Sequence, residues 1–210
     1  HHSFGTAIIG RVLESRGYKV AVLPQPDYRS ANDFKQFGKP RLGFLINSGV
    51  VDSMVNHYSV FKRRRRTDEY SPGGKPGRRP DRAVIVYSNR AREAYKDVPV
   101  IIGGIEASLR RLGHYDYWSD KVRRSILLDS KADLRIYGMG ERAIVEIAEA
   151  LEAGIDIRDI TWIRGTCYKA RTFEMDEYTA VLPDFKQIAE DKEAYCRSFV
   201  TAYRSHDDIN

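Results

Sequence analysis

Val98-Pro99-Val100-Ile101-Ile102-Gly103-Gly104-Ile105-Glu106-Ala107-Ser108-Leu109-Arg110-Arg111 is the stretch on which the reading of the fold turns. Val100, Ile101 and Ile102 are apolar and β-branched, so the run before the glycines reads as a short buried strand. Gly103 and Gly104 end it, because a residue without Cβ tolerates positive φ or the close approach of another atom. In open α/β sheets ligands gather at the carboxyl ends of the strands, which makes this end the expected edge for a bound molecule. The plainer alternative is a strand followed by a tight turn.

Working outward, residues 83–96 carry a helical pattern that leads into this strand. Arg41-Leu42-Gly43-Phe44-Leu45-Ile46 reads as another buried strand, ending in Asn47-Ser48-Gly49, and residues 134–137 as a third, ending in Gly138-Met139-Gly140. Glu141 opens an amphipathic helix, with Ile144, Ile147, Ala148 and Leu151 on one face and Gly154 as its stop. Further strands are expected at 19–23, before Pro24-Gln25-Pro26, and at 160–163. Helices are expected at 32–37, 50–61 and 121–129, and a long terminal one at 183–204. Phe4, Ile8, Ile9, Val12 and Leu13 give an opening helix that Gly17 ends, so the first strand of the sheet is expected upstream of this chain.

Strands alternating with helices predict an α/β fold: a doubly wound, flavodoxin-like parallel sheet with helices on both faces, its first strand missing, followed by a C-terminal helical linker. The expected division is an α/β domain over 1–165, interrupted by an insertion at 61–82, then a linker over 166–210.

The 210 residues are 42% hydrophobic and 30% charged, enough to bury a sizeable core and unlike a disordered polymer. No apolar run is long enough to cross a bilayer and no signal-peptide pattern opens the chain, so a cytoplasmic protein with no membrane partner is expected. Cys167 and Cys196 share no metal-ligand spacing and read as inert thiols. The net charge of +6 lies entirely in residues 61–82, which hold nine Lys/Arg against three Asp/Glu. Arg63, Arg64, Arg65 and Arg66 could grip nucleic-acid phosphates there, although a solvated loop is the default for such a run.

Three strand ends thus carry small or polar residues, a fourth such segment lies before the opening helix at His2-Ser3-Phe4-Gly5, and in a parallel sheet all four face one edge and could form one pocket. Gly138-Met139-Gly140-Glu141 places a flexible turn at a helix N-terminus, suited to a phosphate or another polar ligand group, while the plainer role of Glu141 by itself is to complement the helix dipole. The dinucleotide fingerprint Gly-x-Gly-x-x-Gly is absent, which disfavours a plain NAD enzyme.

His2-Ser3-Phe4-Gly5, Ser48-Gly49-Val50 and Gly103-Gly104 resemble the cobalamin-binding pattern Asp-x-His-x-x-Gly, Ser-x-Leu, Gly-Gly. Val50 stands where Leu is usual, and the 22 residues of the insertion account for most of the excess spacing. More specifically, Ile102–Arg111, His114-Tyr115-Asp116-Tyr117-Trp118 and Arg123-Arg124-Ser125-Ile126 resemble the amino-terminal region of YgiQ-type radical SAM proteins. That resemblance runs over most of the chain. It implies that the parent protein holds a [4Fe-4S] cluster on Cys-x-x-x-Cys-x-x-Cys, with S-adenosylmethionine (SAM) on the open iron. Two cysteines cannot supply three thiolates, so this chain is expected to hold no catalytic residue and to show no radical activity alone. It would be an accessory domain whose partner is a downstream radical SAM domain of the same polypeptide, acting on a small molecule or an RNA.

Cobalamin remains an open expectation. If it binds, the resemblance assigns it His2, Gly5, Ser48, Gly103 and Gly104, with His2 as cobalt ligand, and the turn at Gly138, Gly140 and Glu141 is expected to contribute to cofactor binding; otherwise His2 is a capping or solvated residue. Glu106, Arg110, Arg111 and residues His114, Tyr115, Asp116, Tyr117 and Trp118 are expected at a pocket rim or interdomain surface, against the simpler reading of a loop that packs its aromatics on the sheet. A nucleic-acid-binding module and a structural sheet that has lost its ligand are the competing readings. His57 and His206 show no partner pattern.

Overall fold

The computed structural model describes residues 4–207, without the side chains of residues 205–207. The chain divides into two units. One comprises the described residues up to Arg111 together with Ile126–Lys169, and the other comprises Leu112–Ser125 with the described residues from Ala170 onward.

In the larger unit β1 (Phe44–Ile46), β2 (Val100–Ile102) and β5 (Leu134–Ile136) are parallel and adjacent in that order, and β6 (Thr166–Tyr168) closes the sheet antiparallel to β5. The sheet is therefore mixed, and it is consistent with a flavodoxin-like fold. Successive residues of a strand face opposite sides, and β2 shows why helices must cover both. Val100 and Ile102 pack with Val84, Tyr87 and Ala91 of α3 (Ala83–Ala94) and with Ala107 of α4 (Gly104–Leu109). Ile101 packs on the other side with Ala143, Ile147 and Ala150 of α6 (Glu141–Glu152). On α6, α1 (Phe4–Ser15) is seated through Leu13 against Ile144 and Ala148. Asp133 fixes the entry of β2: its carboxylate accepts from Val100 N at 2.8 Å and from Arg92 Nη2 at 2.6 Å.

Several expected elements differ. Residues 19–23 form no strand, because Pro24, Pro26 and a left-handed Gln25 (φ 49°) turn the chain away, although Val20 and Leu23 still pack on the core. Residues 160–163 are buried at Ile160 and Ile163 without being a strand; the ladder with β5 is made by Thr166–Tyr168 instead. The helix expected at 50–61 is only α2 (Ser53–His57), and that at 32–37 is a single tight turn at Asp33–Lys35.

The smaller unit corrects the helix expected at 121–129. His114–Asp116 (β3) and Lys121–Arg123 (β4) form an antiparallel hairpin, and α5 (Ile126–Asp129) belongs to the larger unit. The expected terminal helix is two, α7 (Phe185–Glu190) and α8 (Lys192–Asp207). Asp184 caps α7 with a reciprocal bond to Gln187, and Gly113 leaves room for Ile188, since a Cβ there would lie 2.1 Å from Ile188 Cδ1. Among the described residues no helix is long and apolar enough to cross a membrane.

Candidate functional site at the carboxyl edge of the sheet

Because β1, β2 and β5 run parallel, the segments that leave their carboxyl ends share one edge. Asn47–Gly49, Gly103–Gly104 and Gly138–Gly140 occupy it, as the sequence predicts for such a sheet. Gly104 has φ +76°, and a Cβ on it would sit 3.1 Å from Cβ of Asn47, so packing as well as conformation demands glycine. Gly140 is similarly confined: a Cβ would approach Ile136 Cγ2 to 2.9 Å. Gly138 (φ +68°) and Gly5 face open space. Asn47 Nδ2 donates to Thr6 Oγ1 at 3.2 Å, which ties the start of α1 to the same edge. Glu141 is half-buried in the first turn of α6, whose N-cap is Gly140. His2 lies outside the described residues.

Several large apolar side chains on the segments of this edge are exposed. Phe4 is 76% exposed, Val50 45%, Ile105 44% and Met139 89%. Each stands in a segment that leaves a parallel strand or, for Phe4, in the helix that Thr6 ties to it.

Behind the edge lies a buried polar network that the sequence did not announce. Glu106 is completely buried: Oε2 accepts from Ser53 N at 2.9 Å and Oε1 from Val84 N at 2.9 Å, so one carboxylate holds the N-terminal turns of α2 and α3. Asp52 caps α2 through Met54 N and Val55 N and pairs with Arg110, which is also buried. Glu106 and Arg110, expected at a rim, thus lie in the interior, while Arg111 is half-buried with its guanidinium 5.3 Å from the ring centre of Tyr137.

Ser48 is buried too. Its Oγ donates to Val51 O at 3.1 Å, and its carbonyl accepts from Arg79 Nη1 at 2.8 Å. A loop whose polar atoms are spent on itself and on Arg79 does not fit the tail of a corrinoid. Nor do the residues fit an iron–sulfur cluster: Cys167 and Cys196 fall in different units, and among the described residues no three His, Cys, Asp or Glu are grouped to hold a metal.

The insertion is anchored by residues the sequence left unassigned. His57 Nδ1 lies 2.7 Å from Asp81 Oδ1, and Tyr58 Oη donates to Asp81 Oδ2 at 2.6 Å. Asp68, buried, accepts from Asn56 Nδ2 at 2.9 Å, Tyr70 N at 3.0 Å and Ser71 Oγ at 2.9 Å, with Arg79 Nη2 at 3.6 Å. Burial raises the pKa of both aspartates, but the hydrogen bonds and neighbouring cations outweigh it and hold them below the usual range. No motif marks this cluster, because its members come together only when α2 and the insertion fold.

Arg135, in the middle of the sheet, is fully buried as well. Nη1 donates to Ala107 O at 3.2 Å, Nη2 lies 2.9 Å from Cys167 Sγ, and the guanidinium sits 4.9 Å from the ring centre of Tyr137. Among the described residues no carboxylate pairs with it, and burial lowers its pKa.

In the smaller unit, Asp116 is buried and accepts from Ser119 N at 3.1 Å and from Ser119 Oγ, closing the hairpin turn. Tyr115 and Tyr117 are exposed, Tyr117 meets Trp118 edge to face at 5.8 Å, and His114 Nδ1 lies 3.2 Å from Leu112 O. Tyr115 N donates to Tyr195 Oη at 3.0 Å, so this hairpin is fastened to α8. His114 to Trp118 therefore form one ordered hairpin in the smaller unit, whereas Glu106, Arg110 and Arg111 belong to the larger one.

A parallel α/β core with an anchored insertion and an uncovered carboxyl edge defines the architecture of a doubly wound module. The whole chain, residues 1–210, matches the family described as Radical SAM N-terminal, and the chain belongs to that family. It is 57% identical over 210 residues to a UPF0313 protein of Clostridium perfringens, covering 100% of this chain and 32% of the relative. A UPF0313 protein of Clostridium botulinum strain Okra is 54% identical over the same 210 residues, again with 32% of the relative covered. The chain thus spans about a third of the length of the curated relatives it matches, and it corresponds to a domain within a larger protein. The family expectation raised by the Ile102–Ile126 stretch is borne out. No solved structure matches the chain.

Proposed function

We propose that this chain is the amino-terminal accessory module of a radical SAM enzyme and that the carboxyl edge of its sheet covers the reaction chamber carried by the rest of the polypeptide. The observation that carries this reading is the set of exposed apolar residues Phe4, Val50, Ile105 and Met139 along that edge. Large apolar side chains exposed on segments that share one sheet edge are the kind of surface that another body covers. The relatives supply that body, since about two-thirds of their length lies outside the matched region. Family membership implies a [4Fe-4S] cluster and SAM in the whole protein, held by residues outside this chain. Gly103, Gly104, Gly138, Gly140 and Glu141 then line the covered face, and residues 166–210 lead toward the downstream domain, with Phe173, Met175, Tyr178 and Val181 exposed along them.

The test uses the full-length protein, purified without oxygen and reconstituted with iron and sulfide. Reduction should cleave SAM to 5′-deoxyadenosine. The double variant Ile105→Asp, Met139→Asp should keep its cluster absorbance and its thermal unfolding profile yet lose turnover at least tenfold. Cleavage at the wild-type rate would refute the covering role and leave a structural sheet. A protein that binds no cluster would refute the radical reading itself.

A further inference from the structure

We propose that the insertion at 61–82 is a binding surface for single-stranded nucleic acid. A charge run is ordinarily a solvated loop, but this one is built. Ser59 N donates to Arg63 O at 2.9 Å, Arg65 N to His57 O at 2.8 Å, and Tyr58 bridges Arg64 in antiparallel fashion, so residues 57–65 form a tight hairpin. Phe61 is displayed at its tip, 82% exposed.

The structure also sorts the charges. Two of the three acids in the stretch are turned inward or engaged: Asp68 is buried on Asn56, Ser71 and Arg79, and Asp81 is held by His57 and Tyr58. Arg79 is consumed in the same interior. What remains exposed is Lys62, Arg63, Arg64, Arg65, Arg66, Lys75 and Arg78 against Glu69 alone. The outer face therefore carries the whole net charge of the stretch, opposed by a single exposed acid. Guanidinium groups match phosphate oxygens in a fixed fork, and an exposed aromatic ring beside them offers a stacking face to an unpaired base. A duplex would leave Phe61 unused, and a run of acidic side chains would offer it no ring to stack on.

The experiment measures binding of a labelled single-stranded RNA of about 16 nucleotides to the full-length protein by fluorescence polarisation. Each neutralised phosphate on a single strand contributes about −0.7 to the slope of log K against log salt, so about seven contacts predict about −5. Replacing Arg63, Arg64, Arg65 and Arg66 by Gln should make that slope shallower by about 3 and leave thermal unfolding unchanged. Phe61→Ala should weaken binding about tenfold without changing the slope. Unaltered binding by the quadruple variant, or no binding at low salt, overturns the proposal. So does equal competition by poly-glutamate, which would reassign the surface to acidic polypeptides, or by duplex RNA. None of these readouts depends on SAM cleavage, so their failure leaves the proposed function standing.

Discussion

His57 Nδ1 lies 2.7 Å from Asp81 Oδ1, joining the end of α2 to the last turn of the insertion across 24 residues. Because Tyr58 Oη takes the other oxygen of the same carboxylate, Asp81 is the single acceptor for two neighbouring side chains. Asp81→Ala leaves both donors without it, and should cost about 1–3 kcal/mol in urea unfolding. Trypsin should then cut at Arg63 to Arg66 several-fold faster than in the wild type, while cutting elsewhere is unchanged. Equal rates would show that the clamp does not hold the hairpin.

Acid should loosen the same region. Asp68 and Asp81 both titrate below their unfolded value of about 3.9, so their stabilising contribution is complete above that pH and is lost as pH falls through the folded values. Urea midpoints should be level from neutral pH down to about pH 4 and decline below it. Asp68→Asn should lower the plateau and flatten the decline.

Glu106 offers a sharper case. It accepts from Ser53 N and Val84 N with no exposure to water, so Glu106→Gln turns an amide donor toward one of those N–H groups. The expected loss is about 2–3 kcal/mol, read as a lower thermal midpoint of the intact protein. A variant as stable as the wild type would mean that α2 and α3 do not depend on this carboxylate.

Arg135 and Cys167 predict non-additivity. Cys167→Ala removes the only side-chain hydrogen-bond partner described for the buried guanidinium and should destabilise by about 1 kcal/mol. Arg135→Met exchanges a buried cation for a side chain of similar length and should be neutral or stabilising. In the Arg135→Met background, Cys167→Ala should lose most of its cost; a full cost there would show that Sγ acts through packing alone.

The elements legible in the sequence are those with a long pattern. α3, α6, β2 and β5 emerge from apolar runs and 3.6-residue periodicity, and the glycines after β2 and β5 locate the carboxyl edge. Short elements escaped. Lys121-Val122-Arg123 is too brief to show alternation, and the apolar run at 160–163 looks the same whether it pairs as a strand or merely fills the core. The candidate edge was legible in its glycines but not in its interior. Glu106 and Arg110 read as surface residues because charge normally is, and only the backbone donors of α2 and α3 explain their burial. Ser48 matched a ligand pattern by spacing, yet Arg79, 31 residues later, takes its carbonyl. Partners so distant leave no local signature.

Ala83 N donates to Ser53 Oγ at 3.1 Å, and Glu106 grips the residues on either side of that contact. The chain therefore leaves the core at one point and returns to the same point thirty residues later. An excursion with coincident ends can lengthen, shorten or change its chemistry without asking the sheet to move. The insertion is in this sense a cassette, whose cargo is free to diverge while its socket stays fixed.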